Sequence, residues 1–323
     1  NTKTFAKVIF KELSTKVNGL DLENNSYNVG NVLLKGADIN ANLFLASNEN
    51  AKKEEAEPEN KKAGKPMKIL LGKLIFDDVK AVYNNTAVAP TRSGMDFNHL
   101  NFGKLNLDVR NFKMENGQFA GSVKLAEIQE ARGLNVQKFN TDFVYEEKQA
   151  YLKNLYLQTP KTVLRDEVVL NYNSIDQLSK NLGAVQISAN IRNSRIGFSD
   201  ILNIVPTLRN TAPFNKYPNG ILNLDAVLNG NINDLNIRTL KVSGLDRLKV
   251  IASGKIKNAT NPDQLYYDLN IGEVSSSAKT IFNLVPKNTI PKNISLPSFF
   301  TIRGAAKGTT KIVNTNLKLT STL

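Results

Sequence analysis

The sequence predicts a mainly β protein whose antiparallel strands are extended by repetition. Apolar and polar residues alternate with a period of two through much of the chain, which is typical of half-buried strands. Short turn signals such as Asn116-Gly117 and Asn219-Gly220 separate these runs and favour hairpins. A unit of about 80 residues occurs twice toward the C-terminal end, which favours a stacked, elongated architecture over a compact enzyme domain.

The clearest strand signal lies over residues 221–232. The even-numbered residues there are Leu, Leu, Ala, Leu, Gly and Ile, whereas the odd-numbered ones are mostly Asn and Asp. Alternation over 105–109, 185–191 and 265–271 predicts further half-buried strands, about twenty in the whole chain. The opening run, 5–13, also fits helical spacing, but we predict a strand because its neighbours are strands.

The internal repeat covers about 185–245 and 265–323. In each copy an Asn-Ile pair is followed, about ten residues later, by an apolar segment that ends in Val-Pro. The two Asn-Ile pairs start at Asn190 and Asn270, and the two apolar segments are Ile201–Pro206 and Ile281–Pro286.

Helical signals are few. Ser199 and Asp200 are suited to cap a short helix that ends before Pro206. The segment from Ser277 to Val285 repeats this pattern in the second copy, and Asp176–Asn181 fits a single turn. We therefore expect a few short helices beside the strands.

Residues 48–66 interrupt the strand pattern. The segment consists largely of Glu, Lys, Ala, Asn, Pro and Gly, so it lacks the apolar surface needed to order itself. We predict a flexible charged loop or insertion at 48–66, between strand-rich sections at 1–47 and 67–323. The first residue is Asn, and we expect the chain to be an internal piece of a longer protein.

Composition excludes several kinds of site. The chain has no Cys and one His, His99, which excludes thiolate metal sites, disulfides and a two-histidine metal site; we interpret His99 as a solvated or packed loop residue. The net charge is +13, but the basic residues are scattered singly, so we expect no nucleic-acid partner. We interpret the charge as a solvated face, with an anionic membrane surface as the alternative.

No pattern of residues predicts catalysis or a cofactor. The sequence contains neither of the glycine-rich nucleotide-binding motifs and no Gly-x-Ser-x-Gly elbow. Adjacent carboxylates occur at Asp77-Asp78, Glu146-Glu147 and Asp166-Glu167, but neighbours on a strand point to opposite faces. We expect a protein without enzymatic activity, cofactor or metal.

The apolar strand faces remain to be covered. The sheet either closes on itself as a filled sandwich or barrel, or it curls into an open trough covered by a ligand with long apolar tails. Small residues such as Ala252, Gly254 and Gly304 fit a trough with internal space as well as a bend in a packed sheet. The residues predicted to line a trough are Leu105, Leu107, Val109, Phe143, Tyr145, Leu170, Val185, Ile187, Ala189, Ile191, Leu222, Leu224, Ala226, Leu228, Leu265, Tyr267, Leu269 and Ile302.

Several segments resemble a known family. They include 74–84 (LIFDDVKAVYN), 139–145 (FNTDFVY), 150–160 (AYLKNLYLQTP), 162–172 (TVLRDEVVLNY) and the two Asn-Leu/Ile-Val-Pro elements. The chain resembles the translocation and assembly module (TamB) family of Bacteroidota, within the wider AsmA-like group. The resemblance covers most of the chain, and its motifs are structural.

The resemblance implies a fold and a function. The fold would be an elongated antiparallel β-taco, or repeating β-groove, with an apolar interior that carries phospholipid. Such proteins are anchored in the inner membrane by an N-terminal helix, run across the periplasm and meet an Omp85-type outer-membrane partner. This chain would be an internal section of that groove in the periplasm, and residues 48–66 would be an insertion between groove strands.

Three functions are carried as hypotheses. The first is a conduit that moves phospholipid between the inner and outer membranes, with support of outer-membrane protein assembly as an associated role. The second is a scaffold or chaperone-like protein for outer-membrane protein or autotransporter assembly, in which open sheet edges pair with client strands. The third is an extracellular β-sandwich adhesin, which predicts a filled interior.

Overall fold

The protein is described by a computed structural model that covers residues 2–45, 66–175, 177, 182–231, 233–259, 261, 263–284 and 295–322. Within these residues lie sixteen strands, two short α-helices and two 3-10 helices. The prediction of a mainly β, antiparallel fold with few short helices is thereby confirmed. The predicted loop at 48–66, apart from Pro66, and the predicted turn at 176–181, apart from Gln177, lie outside the described residues.

The chain divides into two compact units, residues 1–136 and 137–323. In the first unit, β3 pairs with both β1 and β2, and the order continues β3-β4-β5-β6. The opening run predicted as a strand forms β1 and the start of β2. The strands of this unit are β1 (Thr2–Ile9), β2 (Glu12–Asp21), β3 (Ser26–Leu45), β4 (Lys68–Asn85), β5 (His99–Glu115) and β6 (Gln118–Glu130).

Among the described strand pairings, one departs from the antiparallel pattern. β3 and β4 run parallel over a long register, from Ser26 opposite Lys68 to Leu43 opposite Asn85. Parallel neighbours need a connection longer than a hairpin turn. The stretch from Leu45 to Lys68 meets that requirement.

The core of the first unit lies on β3, β4 and β5. Leu34, Ala37 and Val79 are buried there, and the half-buried Phe76 and Leu105 pack against them. Because Leu34 pairs with Phe76 and Ala37 with Val79 across the parallel register, these side chains share one face.

The second unit is an antiparallel sheet in the order β7 to β16, each strand paired with its sequence neighbours where the chain is described. Two α-helices and a 3-10 helix connect the strands of the two sequence repeats. The strands are β7 (Asn135–Tyr145, which starts just before the unit boundary), β8 (Gln149–Gln158), β9 (Val163–Asn171), β10 (Gln186–Gly197), β11 (Ile221–Asn231), β12 (Asp234–Gly244), β13 (Leu248–Lys257), β14 (Tyr266–Ser277), β15 (Phe299–Thr309) and β16 (Val313–Thr322). The helices are η1 (Leu182–Ala184), α1 (Phe198–Ile204), η2 (Pro206–Asn210) and α2 (Ala278–Leu284).

The two predicted helix caps have different outcomes. Ser277 caps α2, because its hydroxyl accepts a hydrogen bond from the Thr280 backbone N–H at 3.1 Å. Helix α1 starts earlier than predicted: its N-cap is Gly197, so Ser199 and Asp200 lie inside the helix. The Asp200 carboxylate instead accepts hydrogen bonds from the Thr159 hydroxyl and the Lys161 N–H, at 2.5 and 3.1 Å.

Candidate functional site in the second unit

One apolar face extends across all ten strands of the second unit. Residues paired in register on neighbouring strands share a face, so the pairings can be followed from β7 to β16. One such row contains, in strand order, Tyr145, Ala150, Leu170, Ile187, Gly230, Leu235, Ile256, Tyr267, Gly308 and Val313. The next contains Phe143, Leu152, Val168, Ala189, Leu228, Ile237, Gly254, Leu269, Ala306 and Thr315.

Two further rows complete this face, which we call the apolar face. They run from β10 to β16 and consist mainly of aliphatic side chains. The third row contains Ile191, Ala226, Leu240, Ala252, Ile271, Gly304 and Leu317, and the fourth contains Ser194, Leu224, Val242, Val250, Val274, Ile302 and Leu319.

Bulges interrupt the register on alternate strands. β10, β12 and β14 each carry one residue more than their odd-numbered neighbours between the second and fourth rows, and β8 carries one extra residue just beyond the second row. In β8 and β10 the extra residues include Asn154 and Asn193, whose φ angles are +52° and +45°. Bulges increase local twist and bend a strand. Their alignment therefore places a bend line across the sheet.

Most of the apolar face is only half-buried. Ala226 and Ile237 are buried, at 5% and 8% exposure, while Leu222, Leu224 and Leu228 remain partly accessible. Leu152 keeps 37% of its surface exposed although apolar neighbours flank it on β7 and β9. An apolar face of this extent with accessible side chains is a candidate surface for an apolar ligand.

The glycines of this face adopt backbone conformations that other residues rarely adopt. Gly254 has φ +132°, and a Cβ there would lie 2.1 Å from the Asp268 carbonyl oxygen. Gly304 has φ +134°, and a Cβ at that position would lie 2.0 Å from the Asn316 carbonyl oxygen. These positions need glycine because neighbouring strands approach closely, so of the two interpretations of the small residues the structure favours the bend.

The helical segments of both repeats cover one end of the apolar face. Phe198 from α1 is 3% exposed and packs with Leu245 and Leu248 at the β12–β13 connection. Its ring lies 4.7 Å from that of Phe214. The partly buried hydrophobic residues packed against this cluster are Phe214, Tyr217, Leu222, Val242, Val250, Ile281 and Leu284. The cluster thus reaches the strand ends of the apolar face.

The opposite face of the sheet, which we call the polar face, carries charge pairs. The Glu273 carboxylate forms ion pairs with Lys249 at 3.1 Å and Arg303 at 2.9 Å. It also accepts a hydrogen bond from the Ser275 hydroxyl at 3.0 Å. These contacts, that with Lys249 foremost, lower the pKa of Glu273 to about 2. A second pair joins Lys307 to Asp268 at 2.8 Å. This face is suited to contact with water or with polar ligands.

Thirteen of the predicted lining residues lie in these rows or, for Leu222, in the adjoining position of β11. Val185 and Leu265 lie immediately before β10 and β14. Leu105, Leu107 and Val109 belong to the first unit, where they pair with Val79, Phe76 and Leu74 of β4. The β12 residues Leu235, Ile237, Leu240 and Val242 also lie in these rows but were not predicted. Their apolar positions change from odd to even numbers at the bulge, and that change was the signal in the sequence that could have identified them.

His99 begins β5 in the first unit. Its Nδ1 lies 3.1 Å from the Asp96 carboxylate, which is almost fully buried. Asp96 also accepts hydrogen bonds from the Thr91 and Asn98 N–H groups, at 2.7 and 3.1 Å. These contacts, led by that with Thr91, lower the pKa of Asp96 to about 2. His99 and Asp96 thus fix the β4–β5 connection.

Among the described residues, no group of three His, Cys, Asp or Glu side chains is placed to hold a metal ion. None of the described helices is long and apolar enough to cross a membrane.

No family model, curated protein or solved structure matches the chain. The resemblance to the TamB family therefore stays a prediction from the sequence motifs.

Proposed function

We propose that this chain is a section of a periplasmic conduit that carries phospholipid along its apolar face. The observation that supports this proposal is the continuity of that face over ten strands, with most side chains half-buried. Acyl chains lying along it would be removed from water, at about 0.8 kcal/mol for each buried methylene. About ten methylenes would contribute about 8 kcal/mol before the entropic cost of association, and no bond chemistry is needed.

The wider context of the proposal comes from the resemblance. In that context an anchor in the inner membrane and an Omp85-type outer-membrane partner lie at the two ends of a longer protein. The uncompensated positive charge of the chain suits contact with anionic headgroups at the rim of the face.

The first experiment asks whether lipid is bound. The purified chain would be analysed by native mass spectrometry and by lipid extraction, and we expect co-purifying phospholipid. A lipid-free protein that also fails to take up phospholipid from vesicles would contradict the proposal.

The second experiment asks where lipid is bound. Leu224→Arg places a charge in the fourth row of the apolar face, and we expect it to reduce lipid uptake strongly because a buried unpaired charge is costly. Asn229→Arg is the matched control: the same charge on the same strand but on the polar face. Circular dichroism shows whether both variants stay folded, and equal lipid uptake by both would exclude the apolar face as the path.

A scaffold that pairs with client strands is the second candidate. Its support is the pair of edge strands: β2 is exposed along its whole length and pairs only with β3 among the described strands. β16 pairs only with β15 there, and its Val313 and Leu319 are each 52% exposed. Site-specific crosslinkers on β16 would capture unfolded outer-membrane proteins under this hypothesis, and lipid under the first.

A further inference from the structure

One edge of the sheet in the first unit is a single long strand, Thr2–Asp21, which we call the outer edge. It consists of β1 and β2, and Ile9 lies opposite Asp38 and Glu12 opposite Lys35, so the register on β3 continues without a shift from one to the other. Residues 4–24 are exposed throughout. The large hydrophobic residues exposed there are Phe5, Val8, Ile9, Phe10, Leu13, Val17, Leu20 and Leu22. Among the described strands β1 and β2 pair only with β3, so this edge can accept a further strand.

Charges at the outer edge indicate what that strand must carry. Asp77, Lys35 and Glu12 lie opposite one another across β4, β3 and β2, and the Lys35 Nζ lies 3.2 Å from the Asp77 carboxylate. This alternating row ends at the edge in a carboxylate, so the next strand should place a cation opposite Glu12. Further along β2, Lys16 lies opposite the uncharged Asn31. That row ends in a cation, so the same strand should place a carboxylate opposite Lys16.

A second copy of the outer edge, running antiparallel to the first, supplies both charges in one register. When Ser14 lies opposite Ser14 of the second copy, Glu12 lies opposite Lys16 and Lys7 opposite Asp21, each twice by symmetry. No other symmetric register brings together two different pairs of opposite charges from residues 2–24. Asp21 also accepts hydrogen bonds within the turn that follows β2, and a carboxylate has room for a further donor.

The irregular points of the outer edge coincide in the same register. The first is at Lys11, between β1 and β2, whose N–H donates to the carbonyl oxygen of Gly36 at 3.2 Å. The second is at Val17, where the pairing of β2 with β3 shifts. The symmetric register places Lys11 opposite Val17 of the second copy, so the irregular points meet and the regular stretches between them remain paired. It also places the exposed Val8 opposite the exposed Leu20.

We propose that the chain forms a symmetric dimer through its outer edge, with two antiparallel copies of Thr2–Asp21 centred on Ser14. The other exposed edge strand, β16, carries one charged residue, Lys318, and so offers no carboxylate to Lys7 or Lys16. The dimer extends the sheet of the first unit from one copy into the next. It does not depend on the lipid proposal, because the apolar face defined above belongs to the second unit.

The first test exchanges charges across the symmetry axis. Sedimentation velocity of the whole chain over a range of concentrations should show a monomer–dimer equilibrium. Glu12→Lys and Lys16→Glu should each weaken dimerisation at least about tenfold, because each places like charges directly opposite one another. An equimolar mixture of the two variants should dimerise as tightly as the parent, since each copy then supplies the charge that the other lacks. A monomeric parent, or a mixture no tighter than either variant alone, would overturn the proposal.

Lys318→Glu is the matched control for this test. It reverses one charge on β16, the other exposed edge strand, and should leave dimerisation unchanged. A loss as large as that of Lys16→Glu would place the contact at β16 and overturn the proposal. A chain that stays monomeric alone but binds an extended client strand at the outer edge would assign this edge to the scaffold hypothesis and would likewise overturn it.

The second test fixes the register. The chain has no Cys, so Ser14→Cys introduces a single thiol. Directly opposed residues of antiparallel strands have Cα atoms about 4.5 to 5.5 Å apart, within the range of a disulfide, so mild oxidation should give a covalent dimer on a non-reducing gel. Thr4→Cys is the control: in this register the two copies of residue 4 lie about 65 Å apart, at about 3.3 Å per residue, and should not crosslink. Equal crosslinking of both variants, or none of Ser14→Cys, would show that this register is wrong.

Discussion

The Asn283 side chain donates a hydrogen bond of 3.1 Å to the Tyr217 hydroxyl, and this bond joins the helical segments of the two sequence repeats. Asn283 lies in α2 of the second copy, whereas Tyr217 precedes β11 in the first. The same place holds the apolar cluster around Phe198. The two repeats are therefore connected twice, through the sheet and through the segments that cover its end.

Removal of that hydroxyl tests the connection. Tyr217→Phe should lower the free energy of unfolding by about 1 kcal/mol, since it deletes one hydrogen bond and keeps the ring in the cluster. Urea titration followed by circular dichroism measures the change. Tyr151→Phe is the control, because its ring is on the polar face. A loss in Tyr217→Phe no larger than that in the control would mean that the bond adds nothing to stability.

Asp96 makes the stability of the first unit depend on pH. Its folded-state pKa is about 2, below its ordinary value of 3.8, so its contribution is present above about pH 4 and is lost as the pH falls through about 2. Asp96→Asn should therefore lower stability at pH 6, and the difference between variant and parent should shrink toward pH 2. Urea unfolding at pH 6, 4 and 2.5 measures this.

Glu273 provides the comparison for the second unit. Its pKa is also about 2, so Glu273→Gln should reduce stability in the same pH window. Lys249 and Arg303, which are at least half exposed, stabilise the ionised carboxylate of Glu273. Added salt should therefore weaken the contribution of Glu273 to the free energy of unfolding. The contribution of the buried Asp96 rests first on a backbone donor and should resist salt. Equal salt sensitivity of the two variants would contradict this assignment.

The bulges explain what the sequence could and could not predict. β11 has no extra residue, so its even-numbered face, with Leu224 and Leu228, follows from alternation alone. β12 changes parity between Ile237 and Leu240, so strict alternation does not assign its residues to one face. A bulge is defined by how a strand pairs with its neighbour, and the apolar–polar pattern of one strand carries no information about that pairing.

Long-range contacts account for the other differences. Asp200 has a side chain suited to cap a helix, but its carboxylate instead accepts hydrogen bonds from Thr159 and Lys161, which lie about 40 residues earlier in the chain. The parallel pairing of β3 with β4 likewise depends on contacts between distant segments. Arg165, Arg195 and Lys241 come from three strands and border one concavity of the polar face, and single cations scattered through the sequence do not indicate that they lie close together.

Asn193 tests the backbone of a bulge. Its φ of +45° suits Asn or Gly better than other residues, and its N–H donates to the Asp225 carboxylate at 2.6 Å. Asn193→Ala should cost about 1 to 2 kcal/mol, because a residue with Cβ is strained in this region, whereas Asn193→Gly should cost less. Thermal unfolding compares the two. A larger loss for Gly than for Ala would show that the Asn side chain, and not the backbone angle, stabilises the bulge.

Gly254 tests the close approach of strands on the apolar face. Gly254→Ala should lower the free energy of unfolding by about 1 to 3 kcal/mol, because its φ of +132° strains other residues and the new Cβ would meet the Asp268 carbonyl oxygen. Gly103→Ala is the matched control in a strand: nothing lies within 4 Å of its Cβ position. Chemical denaturation measures both variants. If Gly254→Ala is as stable as Gly103→Ala, the sheet relaxes at β13 and the bend does not require glycine there.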